Sequence, residues 1–113
     1  MAVATSSGSR QFERKAASHR RLFGFFGHVV KGADVAHGKP APDIYLRAAQ
    51  LFGGGPAAPR DCLAFEDAPS GVASASSAGM QERANIHMIY FNRRGYCAGC
   101  PIFSWMTWIW VGF

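Results

Sequence analysis

Short apolar runs alternate with longer stretches of helical periodicity over the first eighty residues. Each apolar run is followed by small or turn-forming residues, as strands usually are. The pattern predicts three strands and three helices in alternation: strands at residues 2–5, 28–31 and 62–65, and helices at 10–26, 42–52 and 69–79. This alternation indicates an α/β fold with a parallel sheet and right-handed crossovers.

The last third of the chain has a different pattern. Residues 81–113 hold all three tryptophans and two of the three cysteines, and no clear period runs through them. A strand is predicted at 86–91, and a short helix would suit the spacing of Trp105, Trp108 and Ile109. We therefore expect one domain at residues 1–80 and a divergent, aromatic-rich tail that is not part of its fold.

The charge balance excludes few partners but favours some. The formal net charge is +5, from 12 Lys and Arg against 7 Asp and Glu, and it is spread thinly along the chain. We expect a basic surface with a weak preference for anionic partners, and no nucleic-acid site. The start of the chain lacks a signal-peptide pattern, and the most apolar segment, residues 100–113, is too short to span a bilayer. A cytoplasmic location without membrane partners is the resulting expectation.

The cysteines predict neither a disulfide framework nor a metal centre. Cys62 lies in an apolar run and is expected to be a small buried side chain. Cys97 and Cys100 have the spacing of a redox or metal pair, but they supply only two ligands.

Three polar signals follow the three predicted strands, where ligands collect in open α/β sheets. Residues 5–8, Thr-Ser-Ser-Gly, offer hydroxyls and backbone N–H groups to an oxyanion at a helix start. Lys39 lies between Gly38 and two prolines that restrict where its charge can point. The adjacent carboxylates Glu66 and Asp67 suit a hard divalent cation such as Mg²⁺.

Each signal alone also has an ordinary structural interpretation. Residues 5–8 would serve as a helix N-cap, Lys39 as a surface lysine in a loop, and Glu66 and Asp67 as solvated acids in a turn. The combination of the three, in this order, is more specific than any one of them.

The amino-acid sequences of these three segments resemble the motifs of a known family. Val-Ala-Thr-Ser-Ser-Gly at 3–8, His-Gly-Lys-Pro-Ala-Pro-Asp at 37–43 and Phe-Glu-Asp-Ala-Pro-Ser-Gly-Val at 65–72 resemble the haloacid-dehalogenase-like (HAD) hydrolases. Among the HAD hydrolases, these sequences are most similar to the branch that contains β-phosphoglucomutase and pseudouridine-5′-phosphatase. The resemblance covers about residues 2–80, and it implies a Rossmann-like three-layer core.

The resemblance also implies a set of roles in phosphoryl transfer. The Thr5 hydroxyl and the Ser6 backbone N–H would hold the transferring phosphoryl group. Lys39 would neutralise charge on the nucleophile and the phosphoryl oxygens, which makes it the catalytic residue present here. Glu66 and Asp67 would hold Mg²⁺. The implied reaction is Mg²⁺-dependent hydrolysis of a small phosphorylated metabolite, with pseudouridine 5′-phosphate as the substrate that the wording favours.

The sequence lacks the family motif that carries the nucleophile. The apolar strand ending in Asp-x-Asp-Gly-Thr, which carries the aspartate nucleophile, occurs nowhere in these 113 residues, and the helical cap that sets substrate choice is missing. We therefore expect a truncated form with a partial sheet that lacks the family's first strand. Such a chain would be inactive alone and would bind Mg²⁺ weakly or not at all.

A non-catalytic role is the alternative. An exposed sheet edge or the aromatic tail would then pair with another protein chain or with a second copy.

Overall fold

The computed structural model describes residues 1–84 and 107–111. Within them the strands are β1 (Ala2–Thr5), β2 (His28–Lys31), β3 (Cys62–Glu66), β4 (Gln81–Ala84) and β5 (Thr107–Val111). The α-helices are α1 (Ser9–Ala16), α2 (Arg20–Phe23), α3 (Asp43–Gln50) and α4 (Pro69–Ser77). Short 3-10 turns lie at Ala17–His19, Gly32–Asp34 and Pro59–Asp61.

The strands form one five-stranded sheet in the order β2-β1-β5-β3-β4. β1 is parallel to β2, β3 is parallel to β4, and β5 is antiparallel to both of its neighbours, β1 and β3. The α/β class and the parallel pairs are therefore as the sequence predicts, whereas the sheet is mixed rather than wholly parallel.

Helices cover both faces of the sheet. On one face α3 and α4 pack on a core of small and branched side chains: Ala2, Ala4, Val30, Ile44, Ala48, Ala64, Ala75 and Ile109. On the other face Val3 contacts Phe26, with Leu22, Phe23 and Val29 packed around them. A strand with small residues on the α3 side, such as β1, lets these helices lie close to the sheet.

The first helix is shorter than its periodicity predicts. α1 ends at Ala16, a 3-10 turn follows, and His19 has φ −130° and ψ 29°, which is outside the helical region. In an unbroken helix, Phe12 and Phe23 would lie about 16 Å apart along the axis. The break brings their ring centroids to 5.1 Å in an edge-to-face contact. Packing on the sheet therefore overrides the local helical preference.

The sheet includes two segments of the aromatic-rich tail. β4 begins directly after Met80, and β5 is a strand where the spacing of Trp108 and Ile109 suggested a short helix. Ile109 pairs with Ala2 on one side and Ala64 on the other, and it is fully buried. Residues 107–111 are all β-branched or aromatic, which favours a strand. In addition, β1 and β3 each offer an edge of backbone hydrogen-bonding groups that a strand satisfies and a helix does not.

Other expectations for the tail lie outside the described residues. These are the strand at 86–91 and the pair Cys97 and Cys100. The division of the chain at residue 80 stays a prediction. None of the helices in the described part of the chain is long and apolar enough to cross a membrane.

Candidate functional site

The predicted site residues gather at one edge of the sheet. β1 and β3 are parallel to each other, because both are antiparallel to β5. Ala2 and Ala64 both pair with Ile109, so the register places Thr5 and Asp67 at the same level along the two strands. With one strand between them, β1 and β3 are about 10 Å apart. The carboxyl ends of these strands therefore face one common edge.

Thr5 ends β1 and begins the turn into α1. It is 1% exposed, and its Oγ1 accepts a hydrogen bond of 3.2 Å from the backbone N–H of Ser7. Lys15 reaches back from α1 to donate to the Ser7 hydroxyl at 3.5 Å. The turn combines hydroxyls, an ammonium group and the start of an eight-residue helix, and this is chemistry suited to an oxyanion.

The backbone of this turn lies against the loop after β2. A Cβ built on Gly32 would be 2.8 Å from the Ser6 carbonyl oxygen. Real Cβ atoms do not approach backbone so closely, hence glycine is required at Gly32 for Ser6 to keep its place. Ser6 itself is exposed and open to a ligand.

Lys39 and Glu66 form a buried ion pair. The Lys39 ammonium donates to Oε1 of Glu66, and the two side chains are only 8% and 2% exposed. Lys39 comes from the loop before α3, and Glu66 is the last residue of β3. Burying two charges is costly unless their geometry is good and other hydrogen bonds assist. A buried pair at the ligand-binding edge of a sheet is thus a candidate for function as well as for structure.

Tyr45 completes this cluster, and sequence reasoning missed it. Its hydroxyl donates to the same Glu66 oxygen, and the Lys39 Nζ lies 5.1 Å from the centre of its ring. The signal was present, since Tyr45 sits on the otherwise aliphatic face of α3 beside Ile44 and Ala48. A buried tyrosine usually requires a polar partner.

Two contacts fix α4 against the cluster. The Glu66 carboxylate lies directly over Gly71, where an added Cβ would be 2.0 Å from the Glu66 Cδ. The Ser74 hydroxyl donates to the Ala41 carbonyl at 2.5 Å, which ties α4 to the loop that carries Lys39. These contacts hold the loop, the strand end and the helix as one unit.

Asp67 is in a different environment from its neighbour. It is half-buried just beyond β3. Burial raises the pKa of Asp67 above its ordinary value and the Glu66 carboxylate raises it further, while a backbone hydrogen bond and Lys39 offset part of the rise. A cation beside Asp67 would favour its ionised form.

The described residues do not by themselves form a magnesium centre. Among residues 1–84 and 107–111, no three His, Cys, Asp or Glu side chains are grouped so that they could hold a metal ion. Glu66 already accepts from Lys39 and Tyr45, which leaves Asp67 as the carboxylate at this strand end that is open to a cation. The roles predicted for Glu66 and Asp67 as metal ligands stay predictions.

The structure thus brings two of the three signals into contact, and it places the third at the same edge. Lys39 and Glu66 touch, although 27 residues separate them in sequence. Thr5 and Ser6 lie at the end of β1, across β5 from this pair.

Comparison with known proteins identifies a family over most of the chain. The family model described as "haloacid dehalogenase-like hydrolase" matches residues 1–79. That span contains Thr5, Ser6, Lys39, Glu66 and Asp67.

Several similar proteins are named as phosphatases. The chain is 56% identical over 82 residues to a probable pseudouridine-5′-phosphatase of Drosophila melanogaster, a match that covers 70% of this chain and 35% of the relative. It is 46% identical over 99 residues to the mitochondrial (DL)-glycerol-3-phosphatase 1 of Arabidopsis thaliana, covering 84% of this chain and 32% of the relative. It is 44% identical over 80 residues to the fructose-1-phosphate phosphatase YqaB of Escherichia coli, a match that covers 71% of this chain and 40% of the relative. The chain therefore spans about a third of the length of these relatives.

Proposed function

Because the chain belongs to the haloacid dehalogenase-like hydrolases, we propose that it carries the phosphate-binding part of a phosphatase for small phosphorylated metabolites. The observation that carries the proposal is the buried pair of Lys39 and Glu66 at the sheet edge that Thr5 and Ser6 share. The named relatives support the same substrate class.

Each of these residues has a distinct role in the proposal. The Thr5 hydroxyl and the Ser6 backbone N–H hold phosphoryl oxygens at the start of α1. Lys39 supplies a positive charge that is already desolvated, so it stabilises a phosphoryl group more strongly than a solvated lysine would.

The chain alone is proposed to lack turnover. Covalent phosphoryl transfer needs a nucleophile, and the motif Asp-x-Asp-Gly-Thr is absent from these 113 residues. The strand between β1 and β3 does not replace it, since β5 reads Thr-Trp-Ile-Trp-Val and no Asp or Glu occurs after Glu82. Magnesium binding by Asp67 and Glu66 is accordingly proposed to be weak or absent.

Pseudouridine 5′-phosphate is the proposed substrate of the complete catalytic unit. The support is the 56% identity to the Drosophila relative. The relatives named for glycerol 3-phosphate and fructose 1-phosphate match the chain over 99 and 80 residues, so those esters are the necessary comparison.

Binding and hydrolysis are tested separately. Binding of inorganic phosphate would be followed by ³¹P NMR, and hydrolysis of a generic phosphate ester, pseudouridine 5′-phosphate, glycerol 3-phosphate and fructose 1-phosphate would be assayed with Mg²⁺. The variant is Lys39→Met with Glu66→Gln, which removes both buried charges together and leaves neither unpaired. The exposed Arg60→Ala is the matched control.

The expected result is phosphate binding that the double variant loses and Arg60→Ala keeps, with equal background hydrolysis in all three proteins. Hydrolysis that depends on Lys39 and Glu66 would mean that another residue or another chain supplies the nucleophile. Equal phosphate binding by the double variant and wild type would contradict the proposed site.

A non-catalytic pairing role is the second proposal. Phe65 on β3 is 40% exposed and Phe25 after α2 is 70% exposed, and β2 and β4 end the sheet in the described part of the chain. Exposed aromatics and sheet edges suit a protein partner or a second copy. Size-exclusion chromatography with light scattering distinguishes a defined complex from a monomer or from aggregated material.

A further inference from the structure

The Glu66 carboxylate is held on three sides by residues from three different segments. Lys39 comes from a loop, Tyr45 from α3 and Gly71 from α4, and all of them meet Glu66 at the end of β3. We propose that Tyr45 and Gly71 are positioning residues: they fix Glu66 as the counter-ion that sets the place of the Lys39 ammonium. This rests on the proposed function only in taking Lys39 as the group that meets phosphate.

The first argument is the sharing of one oxygen. Tyr45 and Lys39 both donate to Oε1 of Glu66, so this oxygen is fixed by a neutral donor as well as by a charged one. A carboxylate with a single partner can rotate and take that partner with it. The second donor restricts the rotation, and charge-assisted hydrogen bonds are the stronger kind.

The second argument is the space above Gly71. An added Cβ would meet the Cδ, Oε2 and Oε1 of Glu66 at 2.0, 2.1 and 2.2 Å. The carboxylate therefore occupies the volume that any other residue at Gly71 would fill. Alanine is the better helix former, so the glycine at this position is explained by the close approach of Glu66 rather than by helix propensity.

The third argument is that Glu66 is poorly placed for solvent or a cation. Its side chain is 2% exposed, and Oε1 already has two donors. Its assigned role is thus to hold Lys39, while Asp67 is the carboxylate that remains open to a cation.

The position of the Lys39 ammonium can be followed by its reactivity, because the chain has only two other lysines, Lys15 and Lys31, to serve as internal references. Acylation of the folded protein with acetic anhydride, followed by peptide mass spectrometry, gives the rate at Lys39 relative to the other two. In wild type, Lys39 is expected to react most slowly of the three.

Tyr45→Phe keeps the ring and removes only the hydroxyl. The relative rate at Lys39 should rise about fivefold, as the loss of one hydrogen bond predicts. The matched control is Ile44→Val, which trims a buried apolar side chain on the same helix, removes no hydrogen-bonding group and should leave the ratio unchanged. An equal rise in both variants, or no rise in Tyr45→Phe, would overturn the assignment.

Gly71→Ala tests the second contact. It should displace Glu66 and raise the relative rate at Lys39 at least as much as Tyr45→Phe does. Gly53→Ala is the control, since an added Cβ at Gly53 meets nothing within 4 Å. A Lys39 rate that stays at the wild-type value in Gly71→Ala would overturn the role of Gly71.

These ratios do not depend on phosphate. A wild-type chain that binds no phosphate would defeat the proposed function, and the acylation ratios would still decide whether Tyr45 and Gly71 position Lys39.

Discussion

Because Gly32 has no side chain, the backbone of the proposed phosphate-binding turn at Ser6 can pack closely against it. An added Cβ there would be 2.8 Å from the Ser6 carbonyl oxygen and 3.3 Å from the Ser6 carbonyl carbon. Both contacts are to backbone, which cannot swing aside as the end of a flexible side chain can. The position of the Ser6 backbone therefore depends on Gly32, a residue without a side chain.

We expect Gly32→Ala to weaken both phosphate binding and the fold. Overpacking of this kind usually costs about 1–3 kcal/mol of unfolding free energy. Urea denaturation and ³¹P titration would measure the two effects. Gly38→Ala is the control, because a Cβ at Gly38 meets nothing within 4 Å. Equal stability and phosphate affinity in the two variants would show that Gly32 does not hold the turn.

Burial opposes the ionisation of Cys62. It is 1% exposed and its thiol donates to the Ala58 carbonyl at 3.5 Å. Burial raises the pKa of the Cys62 thiol, and the nearby Asp61 charge raises it further. The folded chain therefore holds this proton more tightly than the unfolded chain does.

We expect this difference to lower stability at alkaline pH. Below the unfolded pKa of about 8.5 the thiol is protonated in both states, so its contribution is fully present. As the pH rises from there towards the folded pKa, only the unfolded state ionises, and stability is lost. Urea unfolding at a series of pH values should show this slope in wild type and a shallower one in Cys62→Ala. Identical slopes would mean that Cys62 is not shielded in the folded state.

At the scale of elements, β5 is the strand on which the sheet depends. It joins the β2-β1 pair to the β3-β4 pair, since it is hydrogen-bonded to both β1 and β3. Ile109 lies at its centre, fully buried between Ala2 and Ala64.

Ile109→Ala is expected to lower the unfolding free energy by roughly 2–5 kcal/mol, the usual cost of such a core truncation. This is a large part of the stability of a small domain. Leu51→Ala is the comparison, since Leu51 is apolar but 42% exposed. Chemical denaturation measures both, and equal small losses would contradict a central place for Ile109.

At the scale of the whole molecule, sequence reasoning succeeded where structure is local. β1 and β2 have the predicted bounds, and β3 and α4 begin where predicted, because turn-forming residues such as Gly27 and Pro69 delimit them. It failed where partners are distant. Thr107–Val111 consists of β-branched and aromatic residues, which favour a strand, but nothing in this segment identifies β1 and β3 as its partners.

The same distinction applies to the candidate site. The sequence predicts Lys39 and Glu66 as site residues, and it predicts a metal-binding role for Glu66 beside Asp67 that stays a prediction. The contacts of Glu66 in space are Lys39 and Tyr45, which lie 27 and 21 residues away. The sequence shows that Glu66 is next to Asp67, but it contains no local signal that Glu66 contacts Lys39 and Tyr45.

The whole molecule is expected to require its last strand. A chain that ends at residue 84 would expose one edge of β1 and one edge of β3 within the body of the sheet. We expect it to be largely unfolded or aggregated by circular dichroism and size-exclusion chromatography, whereas the full chain folds. A monomeric, cooperatively folding 1–84 fragment would contradict this dependence.

Because β5 is antiparallel to β1, the end of β5 lies near the start of β1. Val111 pairs with Cys62 and Ile109 pairs with Ala2, so the chain leaves β5 beside the place where β1 starts. A short peptide could therefore bridge Val111 and Ala2, and new termini could be opened in the exposed glycine loop at residues 53–55. Such a circularly permuted protein would keep every strand pairing while it reversed the order in which the two halves of the sheet are synthesised.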